Sequence, residues 1–395
     1  RYTELKLSTG MLAHAVQGWC ASAQALAPEA VRDAYKSVVR VWAGVDYYRF
    51  GPARDANRLQ RIMFWPDPRG VIRKQVNRVL AAKDESLLIA ESIAAQSAAL
   101  QGLPALEQLI FAERSGETAD DARYRCRLAA AVAGNVAHLS NEMVEEWRKP
   151  DGWRHLMENP GAENSTYKSE VEAGSERFRA LLAGLQIVSV QVMPPWLKAA
   201  ESGKAWAGLP FETSALTTVY LGALLESLDE LGQSLHLTEV AQVIGASAKD
   251  KAWMAGGIGN AVSSMARDVP TLVEPGARAG ATFSASELET LRRVKFHANG
   301  MRQLIGREIA GAAGFLCLFE NIDFVPQLGQ GPRRGEARRP GSSYRHGFSI
   351  GGRPLEGRHN SQFLGLLDNC GLNGRDIYGI IEEFSGAGFY AEPVG

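Results

Sequence analysis

The sequence predicts an all-α protein: two helical-bundle lobes in tandem with an interlobe cleft, followed by an irregular C-terminal arm. Three observations carry that prediction. Apolar residues recur every three or four positions through most of the chain, and the alternation expected of strands is scarce. The 395 residues also exceed what one core usually holds, since single cores stop growing near roughly 250–300 residues. The expected divisions are 1–158 for an N-terminal bundle, 159–325 for a C-terminal bundle, and 326–395 for a Gly/Arg-rich linker with a short terminal segment.

The elements follow in order. Leu5, Leu12, Val16 and Trp19 fall at helical spacings from about residue 4 to 26, a segment weakened by Gly10 and Gly18. Pro28 opens a second helix at its favoured first turn, with Val31, Tyr35, Val38, Val39, Trp42 and Val45 repeating at three and four residues until Gly51 and Pro52 stop it. From 49 to 70, prolines at 52, 66 and 68 leave an irregular connector. Helix returns at 71–82 and 86–100, and Pro104 starts another that runs through Phe111. Thr118 and Asp121 read as the capped start of a long helix over 123–147, which stops at Pro150-Asp151-Gly152. Residues 149–166, rich in Pro, Gly and Asn, are the lobe boundary or a lid. Helical pattern resumes at Tyr167 and is expected to break at Pro194-Pro195; further helices follow at 213–235, 237–268 and 284–318, the last behind a Ser284–Glu287 capping box. Past about residue 325 the composition turns to Gly, Arg, Ser and Pro, too little apolar surface to offset its ordering entropy, with short amphipathic pieces at 363–367 and 377–384.

A composition of 45% hydrophobic and 22% charged residues excludes wholesale disorder. With 43 Lys+Arg against 44 Asp+Glu, the net charge of −1 gives no chain-wide field to draw in a nucleic-acid backbone or an anionic membrane, so any such contact needs a local patch. Cys20, Cys126, Cys317 and Cys370 are scattered without a CxxC or close pairing, which argues against a zinc ribbon and a disulfide-dense scaffold and leaves the compartment open. No stretch reaches the roughly 18–20 uninterrupted apolar residues of a spanning helix. The start at Arg1 fits either no signal peptide or a processed form.

The connector holds the densest recognition chemistry. Arg49, Arg54, Arg58, Arg61 and Arg69 stand beside Asn57, Trp65 and Asp67, planar forks suited to carboxylate or phosphate with an indole wall. The same arginines can equally pair with Asp33, Asp46, Asp55 or Asp67 and pin an ordered loop. Glu107, about one turn inside the helix begun by Pro104, can accept from an arginine or a cation, or merely stabilise that turn. His138 and Glu142 share a helix face at i, i+4 and can hold a metal or simply hydrogen-bond to each other. Glu226, Asp229 and Glu230 form an acidic face, and Gly257-Ile-Gly259 follows no strand, so a dinucleotide loop is rejected. No GxSxG, Walker or HExxH pattern occurs.

Trp42-x-x-Val45-x-x-x-Arg49-Phe50-Gly51-Pro52, Asn57-Arg58-x-x-Arg61-Ile62-x-Phe64-Trp65-Pro66-Asp67-x-Arg69-Gly70-Val71, Gln101-Gly102-Leu103-Pro104-Ala105-Leu106-Glu107 and Tyr124-x-Cys126 resemble the predicted periplasmic lipoprotein branch of the imelysin family. The likeness is specific over 35–126 and looser, through Leu209-Pro210-Phe211, to about 323. It implies two helical bundles with a site between them, and a bacterial envelope location, periplasmic or lipid-anchored at the outer membrane through an anchor outside this sequence. It also implies a link to iron uptake and its envelope partners, and a peptidase activity using a metal ion, iron or zinc. The family motif Gly-x-His-x-x-Glu is altered here: Gly102 and Glu107 occupy its ends while Pro104, which has no lone pair to give a metal, fills the histidine slot.

Two readings of function follow. In the first, a non-enzymatic envelope protein holds a small polar or anionic ligand, such as an iron chelate, in the interlobe cleft. Arg49, Arg58, Arg61 and Arg69 bind it, Asn57 and Gly102 line it, Trp42 and Trp65 wall it, and Asp67 and Glu107 orient the guanidiniums. In the second, a metal-dependent peptidase uses Glu107 with His138 and Glu142. A basic arm at Arg333–Arg339 that contacts an acidic partner is a third possibility, and nucleic acid is not expected as a partner.

Overall fold

The computed structural model describes residues 1–22, 26–203, 208–235, 260–272 and 283–311, and two short strands at 349–350 and 353–354. Arg1–Ile309 form one compact unit and Ala310–Gly395 a second; the division expected at 158/159 falls inside the first. In the second unit, strand β1 (Ser349–Ile350) pairs antiparallel with β2 (Arg353–Pro354). The expectations for 237–259, for the segments at 363–367 and 377–384, for Arg333–Arg339, and for Cys317 and Cys370 lie outside the described residues.

The first unit is all-α in its described residues, and its axis is a 30-residue helix, α8 (Ala119–Arg148). It starts where the sequence says: Thr118 and Asp121 form a reciprocal capping box, the Thr118 hydroxyl accepting from the Asp121 amide and the Asp121 carboxylate from the Thr118 amide. Leu128, Val132, Val136, Leu139 and Met143 repeat at three and four residues and are wholly buried. Each such side chain contributes about 1.5–3 kcal/mol of transfer free energy on burial. The stripe packs on α1 (Tyr2–Ala21) and α7 (Leu103–Phe111), while α2 (Glu29–Ala43) lies between α1 and α12 (Thr217–Ser234).

Helices α1 and α8 run antiparallel. Lys6 at one end of α1 pairs with Glu145, and Cys20 at the other end is disulfide-bonded to Cys126, with Cα atoms 5.5 Å apart. The two cysteines stand 106 residues apart in sequence, which is why spacing alone shows no pairing.

Two expectations are corrected. The helix predicted at 86–100 is three pieces: a 3-10 turn at Glu85–Leu87, α5 (Ala90–Ala94) and α6 (Ala98–Gln101). Asp84 and Ser97 accept from the amides two residues on and so restart the chain, the competition that short polar side chains offer a helix. The break predicted at Pro194-Pro195 does not occur. Residues Ile187–Val192 widen into a π turn between α10 (Glu170–Gln186) and α11 (Met193–Ser202), and both prolines enter α11 in its first turn, where missing N–H groups cost little. The continuous run Glu172–Ser202 is long and apolar enough to cross a bilayer by length and composition, and 61% of its apolar window is buried inside the protein, as in a core helix.

The connector is irregular as expected. Two 3-10 turns, Gly51–Ala53 and Asp55–Asn57, lead into α3 (Arg58–Ile62); an extended run with a cis Trp65–Pro66 bond follows, and α4 (Val71–Ala82) begins after Gly70 in the left-handed region. A short helix α9 (Trp153–Glu158) lies within 149–166.

Candidate functional site

The altered motif sits at a close crossing of backbones. A Cβ at Gly102 would lie 2.1 Å from the Ile62 carbonyl oxygen and 2.4 Å from that of Arg61, so only glycine lets α3 and the start of α7 touch here. Arg61 reinforces the crossing by donating its Nε to Gln101 Oε1 at 2.8 Å, and Asn135 of α8 donates to the Gln101 carbonyl at 2.9 Å.

Beyond Gly102, α7 carries Glu107 into the interior, where it is 5% exposed. Its partner is neither an arginine nor a cation, which corrects the role expected of it. Glu107 Oε1 accepts from the Ser214 amide at 2.8 Å and the Ser214 hydroxyl at 2.6 Å, with the Thr213 amide also helping to hold the charge. Burial outweighs these bonds and, with Glu212 nearby, pushes the Glu107 carboxyl up to about 7. Gln108 donates to Thr213 Oγ1 at 2.8 Å, and Tyr35 donates to the Leu103 carbonyl at 3.0 Å.

The loop facing Glu107 is unusual. Gly208, Phe211 and Ala215 all have positive φ, and Phe211 and Ala215 hold it without glycine's freedom. The loop is closed internally: Glu212, 4% exposed, accepts from the Leu209 amide, and Thr217 donates to the Pro210 carbonyl. Phe211 sits between Tyr35, edge-on at 6.3 Å, and Tyr220, tilted at 5.3 Å, and Tyr35 meets Phe111 at 5.3 Å. Tyr220 in turn donates to Asp46 at 2.6 Å; burial raises the Asp46 pKa, and Arg49 opposes that rise. Three buried carboxylates, Asp46, Glu107 and Glu212, thus surround one aromatic row.

The other expected residues divide. Arg58 is 4% exposed and fully engaged by the Pro52 carbonyl (2.9 Å), Glu142 (3.1 Å) and Glu146, so it braces the connector onto α8 as the loop-pinning alternative has it. Trp42 has no exposed surface and walls no cleft. Asp67 orients no guanidinium; its two oxygens take the Val71 and Ile72 amides at 2.8 and 2.9 Å. Trp65 donates its indole N–H to the Gly208 carbonyl at 3.1 Å, bringing the connector to the 208–217 loop. Asn57 and Arg69 are exposed. His138 is 63% exposed and meets Glu142 at 3.3 Å, a surface pair in contact with the Arg58 bracket. Structure therefore brings Arg61, Trp65, Gly102 and Glu107 onto the junction of 61–67, 101–108 and 208–217, with Arg49 and the buried Trp42 beside Asp46, and leaves Asn57, Arg58, Arg69 and His138 apart from it.

None of these side chains lines the groove of about 920 Å³ found between the start of α1, the end of α8, and helices α9, α10 and α12. Tyr2, Tyr48 and Trp147 form its aromatic wall. Its charged rim is largely engaged internally, Arg154 with Glu158 and Arg177 with Ser234, so size alone does not make it the site.

The metal expected from the motif does not fit the donors present. Glu107 is committed to Ser214, Pro104 offers nothing, and among the described residues no three His, Cys, Asp or Glu side chains converge. Sequence reasoning missed Ser214 and Glu212, and gave Tyr35 only as a core position and Asp46 only as an arginine partner, the role Arg49 fills beside it. One signal was available: Gly102-Leu103-Pro104 is echoed by Gly208-Leu209-Pro210, and a buried glutamate follows each, Glu107 and Glu212.

The fold has solved counterparts. An imelysin-like protein from Psychrobacter arcticum 273-4 superposes with a TM-score of 0.61 at 19% identity, covering 80% of this chain and 91% of its own. A chain from Parabacteroides distasonis ATCC 8503, provisionally named iron-regulated protein A precursor, gives 0.50 at 12% identity, covering 78% and 89%. No curated protein matches the chain. The family model for imelysin matches residues 1–271, more than half the sequence and all of the junction around Glu107, and the chain belongs to the imelysin family.

Proposed function

We propose that this chain is a bacterial envelope protein linked to iron handling, and that it holds a small polar or anionic ligand beside the junction of 61–67, 101–108 and 208–217. The carrying observation is Glu107: a buried acid pushed up to about 7, where the segment of Arg61 and Trp65 meets the two others, Arg61 at Gln101 and Trp65 at Gly208. Buried acids with shifted pKa values are more common at functional sites than in ordinary cores. Arg61 spends only its Nε internally; among the described residues its two outer nitrogens make no hydrogen bond, leaving a planar fork for a carboxylate or phosphate.

Two observations support the envelope and iron parts of the reading. The Cys20–Cys126 disulfide suits an oxidising compartment, and the Parabacteroides counterpart carries an iron-regulated name. Peptide hydrolysis through the family motif is the weaker reading, because the donor set around Glu107 does not suit a metal.

The test is thermal stabilisation of the purified chain by citrate and by ferric citrate, with native mass spectrometry for co-purified small molecules. Wild type should gain in Tm with one or both probes, and Arg61→Ala should lose that gain, starting from a baseline stability lowered by about 1 kcal/mol for the missing Gln101 bond. A wild-type protein indifferent to both probes and carrying no small molecule would defeat the reading.

A further inference from the structure

A second feature, outside the Glu107 junction, is the outward side of α4. That helix buries Ile72, Val76 and Val79 and turns Arg73, Lys74 and Arg78 to solvent, with Arg69 exposed just before it. No acidic residue occurs from 68 to 83, although the chain as a whole carries slightly more acids than bases. Some surface cations elsewhere pair with acids, Lys83 with Asp121, Arg127 with Glu85 and Arg154 with Glu158, while others such as Lys36 and Lys149 stand unpaired among the described residues. Among the described residues Arg69, Arg73, Lys74 and Arg78 join no ion pair, and Lys74 reaches only the Arg69 carbonyl, at 2.9 Å. Arg114 extends the positive face by donating to Asn77, which lies between Arg73 and Arg78 on the same side.

Fold stability does not favour this arrangement. Arg73 and Lys74 stand in the first turn, at the positive end of the helix dipole, and Lys74 and Arg78 repel as a like pair at i, i+4. The Asp67 carboxylate that offsets the dipole is used up on the Val71 and Ile72 amides. A helix that carries uncompensated charge against its own dipole is a local rule broken where function is expected.

We propose that the outward face of α4 docks this protein on an anionic phospholipid surface. The exposed neighbours of the cations are Pro68, Asn77, Ala81 and Ala82, so the face has no aromatic or large apolar anchor of the kind that dominates protein–protein interfaces. A convex row of long, flexible cations matches instead a laterally adaptable layer of phosphate headgroups, which attract basic residues additively and over a Debye length. The Cys20–Cys126 disulfide suits an oxidising compartment, the envelope location proposed above, where phospholipid headgroups are the abundant polyanion.

The experiment is co-sedimentation of the full 395-residue chain with vesicles of phosphatidylcholine alone and of phosphatidylcholine with 30% phosphatidylglycerol, at low and at high salt. Wild type should bind only the anionic vesicles and release as salt rises. The triple variant Arg73→Gln, Lys74→Gln, Arg78→Gln should lose on the order of 100-fold in apparent affinity, since each cation near such a surface contributes independently. These positions are exposed and their charges oppose the helix dipole, so its melting temperature should equal or slightly exceed that of wild type. A variant with the same charge loss elsewhere, Arg123→Gln, Arg154→Gln, Arg292→Gln, should bind like wild type. Equal binding to neutral vesicles, no binding to anionic ones, or equal losses in both variants would overturn the proposal. So would tight binding to polyglutamate with none to vesicles, which would point to an acidic protein partner.

Discussion

Glu107 provides the sharpest thermodynamic test of the junction. Its carboxyl titrates near 7 in the folded protein against an ordinary value of 4.5, because burial disfavours the charge more than the Ser214 and Thr213 bonds favour it. The folded state therefore binds more protons than the unfolded state between those two values, and stability falls as pH rises through that window. A displacement of that size corresponds to about 3 kcal/mol, present in full below the unfolded value and lost by pH 8. For a unit of this length that is about 5 °C in Tm. The perturbation is Glu107→Gln, whose carboxamide oxygen can still accept from Ser214 but does not titrate. Thermal melts of both proteins from pH 4.5 to 8.5 should show wild type losing about 5 °C more than the variant. Asp46 and Glu176, also raised by burial, are common to both, so the difference isolates Glu107. Parallel curves would mean that the carboxyl ionises without penalty, and the account of the buried site would fall.

Two further outcomes are expected. Gly102→Ala should cost at least about 3 kcal/mol or abolish soluble expression, since its methyl would meet backbone oxygens that cannot move aside, whereas Gly10→Ala on the open face of α1 should gain about 0.5–1 kcal/mol from helix propensity; chemical denaturation of both measures the contrast. Reduction of Cys20–Cys126, or Cys20→Ser, should lower stability by about 3–4 kcal/mol, because the bond closes a loop of about a hundred residues in the unfolded chain, and non-reducing peptide mapping should recover the linked pair.

The sequence alone determined the local elements. Apolar repeats at three and four residues fixed α2, α4 and α8 because a helix side presents those positions together, and Thr118 with Asp121 set the start of α8 because neighbouring side chains supply the cap. The segments quoted at 42–71 and 101–107 were enough to indicate the family that the match over 1–271 establishes. Tertiary structure decided what distance in sequence hides. Cys20 meets Cys126 only because two helices run antiparallel, and Glu107 finds Ser214, 107 residues away, only because the 208–217 loop folds over α7. Which guanidinium is a brace and which is open was equally unreadable: Arg58 and Arg61 stand one turn apart in the same short helix. A difference of that size in their direction sends Arg58 into the carboxylates of α8 and Arg61 to the amide of Gln101. Pairing in a folded chain depends on where side chains arrive in space, and residue types along a line do not carry that information.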